Sequence, residues 1–174
     1  MTTKEKELFE LKKLIIICIC VALLSVPFCF FKYQDISYAK DIEKMPDLWE
    51  QNEASFEDMI SYLLDIEGLA VIDQRIEEAE MYSDARLFEG LRFRGKFGNN
   101  EAEHIAMTYR SLEEKLHIQS VFKSSKGYVA FQWKGYWWTT LFWVYDPREN
   151  NLDRDYEPIQ QLSPGWYIAK SKFR

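Results

Sequence analysis

Two Glu-x-x-His pairs, Glu101-Ala-Glu-His104 and Glu114-Lys-Leu-His117, are the residues whose type and spacing come nearest to metal chemistry. A Glu and a His one helical turn apart project together, and such pairs supply half the ligands of a carboxylate-bridged dimetal centre. The spacing between the pairs argues against that use. Thirteen residues at ~100° each turn the second pair by about 220° from the first, onto nearly the opposite helix face. These are the only 2 histidines in the chain. Solvated carboxylates and surface imidazoles are the expected roles, with no metal and no cofactor.

Asp146 to Glu157 has the length of a calcium loop, with Asn150 at its fifth position. Arg148 stands at the third position, where a cation repels the ion, and Asn151 at the sixth, where the sharp turn needs glycine. The segment reads as a turn. A phosphate-binding loop, a dinucleotide fingerprint, a Gly-x-Ser-x-Gly elbow and a His-Glu-x-x-His helix are all absent. Carboxylate-pair chemistry, as in sugar hydrolysis, stays open on composition alone, but no acidic pair is singled out by its spacing. No catalytic residue is expected.

Two groups of residues have the chemistry of an interaction surface. Trp133, Trp137, Trp138 and Trp143 are four of the chain's 6 tryptophans and fall within one short stretch. In an extended strand Trp137, Leu141, Trp143 and Tyr145 share a face, and Trp138, Phe142 and Val144 share the other. Aromatic side chains on an uncovered sheet face would form a binding patch; on a covered one they are core. Arg92, Arg94 and Lys96 alternate with Leu91 and Phe93, which puts three cations on one strand face. They could meet an anionic partner, or simply guard an edge strand against aggregation.

The elements that position these residues begin with an apolar run. Leu14–Phe31 carries no charge and is flanked by Lys12-Lys13 and Lys32. At about 1.5 Å per residue it would cover roughly 27 Å, close to the hydrocarbon thickness of a bilayer. The expectation is a single-pass signal anchor. Lysines on the N-terminal side favour an inside N-terminus and a C-terminal domain outside the cytoplasm. Cleavage as a signal peptide is the rival, but Val26-Pro27-Phe28-Cys29 is too bulky and Ser37-Tyr38-Ala39 lies far beyond the run. All 3 cysteines sit inside the run, so the polar part has no disulfide framework.

The chain divides on this reading into a tail 1–13, a transmembrane helix 14–31, a linker 32–50 and a domain 51–174. Residues 45–174 hold 15 Lys/Arg against 22 Asp/Glu. That surface disfavours nucleic acid and suits a basic protein.

Ser55 is placed to cap a first helix, with Phe56, Met59, Ile60, Leu63, Leu64 and Ile66 at helical spacing before Gly68. A second helix follows Gly98-Asn99-Asn100, its apolar stripe being Ala102, Ile105, Ala106, Tyr109, Leu112 and Leu116. Strands are expected at 69–72, 91–97, 117–123, 128–133, 136–145 and 166–169. Ser124–Gly127 would close one hairpin and Lys134-Gly135 a second. The fold class is α+β: an N-terminal transmembrane helix, then a small antiparallel sheet packed by two main helices.

The function expected is a membrane-anchored binding module holding an acidic, aromatic-rich domain outside the cytoplasm. Its use would be protein capture, as in immunity-like toxin neutralisation or as accessory to an envelope complex. An envelope sensor or ligand- or glycan-binding assembly factor is the first alternative. A membrane-proximal carboxylate-dependent hydrolase is the second.

Overall fold

Buried apolar positions recur at helical spacing much earlier than Ser55: Met45 and Trp49 lead into Phe56, Met59, Ile60 and Leu63. The computed structural model describes residues 3–74, 85–136, 139–148 and 152–172. Its first helix, α1, runs from Thr3 to Asp65. Ser55 is an interior residue of that helix, and residues 32–50, expected as a linker, are helical. Pro46 removes one backbone donor from the ladder. Packing of Met45 and Trp49 on either side of it outweighs that loss.

The transmembrane expectation is corrected. Among the described residues no helix is long and apolar enough to cross a membrane. Leu14–Phe31 is not a bounded apolar element but one section of α1, continued by charged residues at both ends. The single-pass, signal-anchor and extracytoplasmic assignments fall with it. The chain separates into a first unit, Met1–Asp41, and a second, Ile42–Arg174. In the first, Ile19, Val21, Leu23 and Val26 are exposed.

The expected small sheet is also corrected. Among the described residues the second unit holds eight antiparallel strands in the order β2-β3-β1-β4-β5-β6-β8-β7. They are β1 (Ala70–Asp73), β2 (Ala85–Phe88), β3 (Leu91–Arg94), β4 (Ser120–Lys123), β5 (Val129–Tyr136), β6 (Thr139–Tyr145), β7 (Tyr156–Ser163) and β8 (Trp166–Ser171). α2 spans Asn99–Leu116 between β3 and β4, and the short α3 spans Leu152–Asp155. Lys134-Gly135 lies within β5, where the β5–β6 register shifts between Gln132 and Lys134. Ser124–Gly127 does turn the β4–β5 hairpin, with Gly127 N–H donating to Ser124 O at 2.9 Å.

Strand alternation sends Ile72, Phe93, Val121, Phe131, Trp143 and Ile168 to one sheet face, where α1 and α2 cover them. Phe56 of α1 is seated among Phe131, Trp143 and Trp166, at ring-centroid distances of 4.9, 5.4 and 5.5 Å. The opposite face has its own smaller core. Tyr128, Ala130, Phe142, Val144 and Ala169 are closed over by Leu152 and Tyr156.

Side chains from the sheet satisfy carbonyls that the helices leave open at their C-terminal ends. Buried Lys123 of β4 donates to Ile66 O just past α1, placing a cation at the negative end of that helix. Trp133 Nε1 of β5 donates to Leu116 O at 2.6 Å; from within α2, Tyr109 Oη donates to Gln119 O at 2.9 Å in the segment leading to β4.

Three core tyrosines make the fold sensitive to alkali. Burial, then a hydrogen bond to Asp155, pushes the Tyr128 hydroxyl up to about 12. Burial raises Tyr109 and Tyr156 further still. An unfolded tyrosine ionises near pH ~10, so above that the unfolded chain releases protons the folded chain retains. The stability these groups confer is complete below pH ~10 and is lost as pH climbs through about 12. In an ultraviolet titration we expect a late group among the 10 tyrosines to ionise together with loss of circular dichroism. Smooth titration of all of them with the fold intact would contradict this packing.

Candidate functional site

The second-unit part of α1 has two chemically opposite faces, because its residues alternate at the helical period between core and carboxylate. Met45, Trp49, Phe56, Met59 and Leu63 point to the sheet. Asp47, Glu50, Glu53, Glu57 and Asp65 are exposed. Between Met45 and Glu67 the sequence has seven carboxylates and no Lys or Arg.

Some of these acids have internal duties. Glu57 Oε1 accepts from Trp166 Nε1 at 2.7 Å. Asp58 Oδ2 accepts from Thr108 Oγ1 and lies at hydrogen-bond distance from His104 Nε2, each at 2.8 Å, which ties α1 to α2. Glu67 lies 3.7 Å from Lys96. Asp47, Glu50 and Glu53 make no ion pair among the described residues.

Beside those three acids a cleft of about 400 Å³ opens between α1 and β7. Pro46, Trp49, Glu50 and Glu53 form one wall, and Gln160, Gln161, Leu162 and Ser163 the other. Trp49 Nε1 is buried and is the one such side-chain atom, among the described residues, without a hydrogen-bond partner. Among the described residues the β7 wall is an edge strand paired only to β8. Its register shifts between Pro158 and Gln160 and again between Gln161 and Ser163.

A second, polar pocket of about 520 Å³ lies at the C-terminal end of α2, lined by Glu113, His117, Gln119, Ser120 and Gln132 among others. Ser120 Oγ donates to Gln132 Oε1 at 2.9 Å, and Gln132 Nε2 donates to Gln119 Oε1 at 2.8 Å. Among the described residues no Phe, Tyr or Trp lines it. Nor does the acidic cleft set one carboxylate against another: Glu50 and Glu53 share a wall that faces amides.

The tryptophans expected as a patch are placed otherwise. Trp133 and Trp143 are buried, with ring centroids 5.1 Å apart in the core beneath the helices. Trp137 and Trp138 lie outside the described residues. The basic group Arg92, Arg94 and Lys96 does not form one stripe. Arg92 is buried in a two-point pair with Asp73, Nε to Oδ1 at 2.9 Å and Nη2 to Oδ2 at 2.5 Å. Arg94 closes β3 and is half-buried, while Lys96 is exposed beyond Gly95. Gly95 sits at φ +125°, where a Cβ would meet Leu69 O at 2.8 Å, so the alternation stops there.

The two Glu-x-x-His pairs are likewise occupied locally. Glu101 Oε2 accepts from the Gly98 N–H at 2.7 Å and so closes the start of α2. His104 stacks on Tyr62 at 4.2 Å beside Asp58. His117 ends α2 in the left-handed conformation, its N–H donating to Glu113 O at 2.7 Å. Among the described residues no group of three or more His, Cys, Asp or Glu could hold a metal ion. Asp146, from the calcium-loop segment, instead accepts the Arg148 N–H at 3.0 Å.

The acidic stripe of α1 could have been found in the sequence from the 45–67 run, had the helix been started early enough. The cleft could not, because its second wall is a strand without hydrophobic alternation. No family model matches the chain, and no curated protein or solved structure matches it either.

Proposed function

We propose that the second unit is a protein-binding module whose acidic α1 face takes a basic partner. The observation that carries this reading is the exposed row Asp47, Glu50 and Glu53, set in a stretch of seven carboxylates without a cation. Like charges held together on one face raise the free energy of the unbound surface, and a cationic partner relieves it. Such a field also speeds encounter with that partner and rejects acidic ones. Neutralisation of a basic toxic protein is the use this surface fits most directly, since it would mask the cations that such a protein works with. An accessory role in an envelope complex rested on the anchor and is dropped.

The test compares the full chain with the triple variant Asp47→Asn, Glu50→Gln, Glu53→Gln as bait in extracts of its own cells. A stoichiometric Lys/Arg-rich protein should be retained by the parent chain, released by salt, and bind the variant about tenfold more weakly or worse. Equal binding to both baits, or a partner of acidic surface, overturns the reading.

A further inference from the structure

The cleft between α1 and β7 is lined by Trp49, whose indole donor is unsatisfied, and by Glu50 and Glu53, which make no ion pair among the described residues. Trp49 Nε1 is buried without an acceptor, and an indole N–H left so is costly, because its bond to water has been given up with nothing in return. Buried indole donors elsewhere in the fold have acceptors: Trp133 uses Leu116 O, Trp143 uses Met45 O, and Trp166 uses Glu57. Trp49 is the exception, and it lines the acidic cleft.

The occupant's chemistry follows from the walls. Glu50 and Glu53 call for cations, and Gln160 and Gln161 offer both donors and acceptors to a backbone. A donor awaiting an acceptor calls for a carbonyl. The volume of about 400 Å³ lies within the range of ligand clefts. A small inorganic cation would leave the indole N–H unanswered. A second copy of this chain, with its net charge of −6, would add repulsion.

Resting on the binding-module reading, we propose that this cleft holds an extended, Lys- or Arg-bearing segment of the partner protein. Its cations lie against Glu50 and Glu53, and one of its carbonyls accepts the Trp49 indole N–H. The β7 wall can yield to admit it, because register shifts bracket Gln160 and Gln161 and, among the described residues, only β8 holds that strand.

Selection of a random decapeptide library on the full chain tests this, followed by NMR of the Trp49 indole with the selected peptides. Basic sequences should be enriched, and the indole resonance should move on saturation. Glu50→Gln with Glu53→Gln should weaken binding about tenfold. Trp49→Phe removes the donor and keeps an aromatic ring in the site, so it should lower thermal stability by only a few degrees while weakening the peptide about fivefold. Non-basic selected peptides, an unmoved indole signal, or full affinity in Trp49→Phe each overturn the cleft assignment. If a basic protein partner still depends on Asp47, Glu50 and Glu53 while the indole stays unmoved, the acidic face survives and the cleft does not. If that partner is indifferent to all three acids, both readings fail. Light scattering that shows the indole shift tracking self-association makes a second copy the occupant, which also overturns the proposal.

Discussion

Arg92→Met is expected to destabilise the chain by about 3–5 kcal/mol in urea unfolding, because it strips the guanidinium from a carboxylate that water does not reach. Arg92 and Asp73 sit directly opposite on β3 and β1, and their side chains are 4% and 1% exposed. Asp73 is opposite Ser120 on β4, and Ser120 opposite Gln132 on β5. A polar row thus crosses four strands. Removing one member of the ion pair leaves its charge buried, whereas removing both removes the problem. The double variant Asp73→Leu, Arg92→Met should therefore recover most of the loss. Its recovery separates a desolvated charge from simple lost volume, which the double change would not repair. A single variant costing under about 1 kcal/mol would place the pair at an exposed surface instead.

That pair shows where sequence patterning stops. Alternation in 91–94 correctly opposes Leu91 and Phe93 to Arg92 and Arg94, but it says nothing of what covers either face. Arg92 reads as a surface cation until Asp73, from another strand, is placed against it. Trp133 and Trp143 are core rather than patch for a related reason. Alternation in 139–145 sets Leu141 and Trp143 opposite Phe142 and Val144, yet both sheet faces are covered, one by helices and the other by Leu152 and Tyr156.

The helical stripes were the most legible part. Ala102, Ile105, Ala106, Tyr109, Leu112 and Leu116 are all buried as their spacing requires. Ser55 reads as the start of this helix because it is a good capping residue, although Met45 and Trp49 already continue the buried period upstream of it. β7 leaves no signal in the sequence because an exposed edge strand needs no alternation, and Pro158 is tolerated where, among the described residues, no further strand pairs. The acidic face of α1 is thus visible in residue order alone, and the cleft beside it only in three dimensions.

Phe56→Ala is the second large effect, expected at about 3–5 kcal/mol, since a fully buried aromatic leaves a cavity as well as lost transfer energy. Phe56 is the contact through which α1 meets three strands at once: Phe131 on β5, Trp143 on β6 and Trp166 on β8. Large rigid rings on all sides cannot close over the gap, so the cost belongs at the upper part of that range. Domain stabilities are about 5–15 kcal/mol, so the variant should melt roughly 10–20 °C lower. Phe56→Leu retains most of the contact and should cost less than half as much. Because α1 supplies Trp49, Glu50 and Glu53 to the cleft, loosening it should also weaken peptide capture in Phe56→Ala at temperatures below its melting point. A loss under about 1.5 kcal/mol, with capture intact, would mean that α1 is not seated on the sheet through this ring.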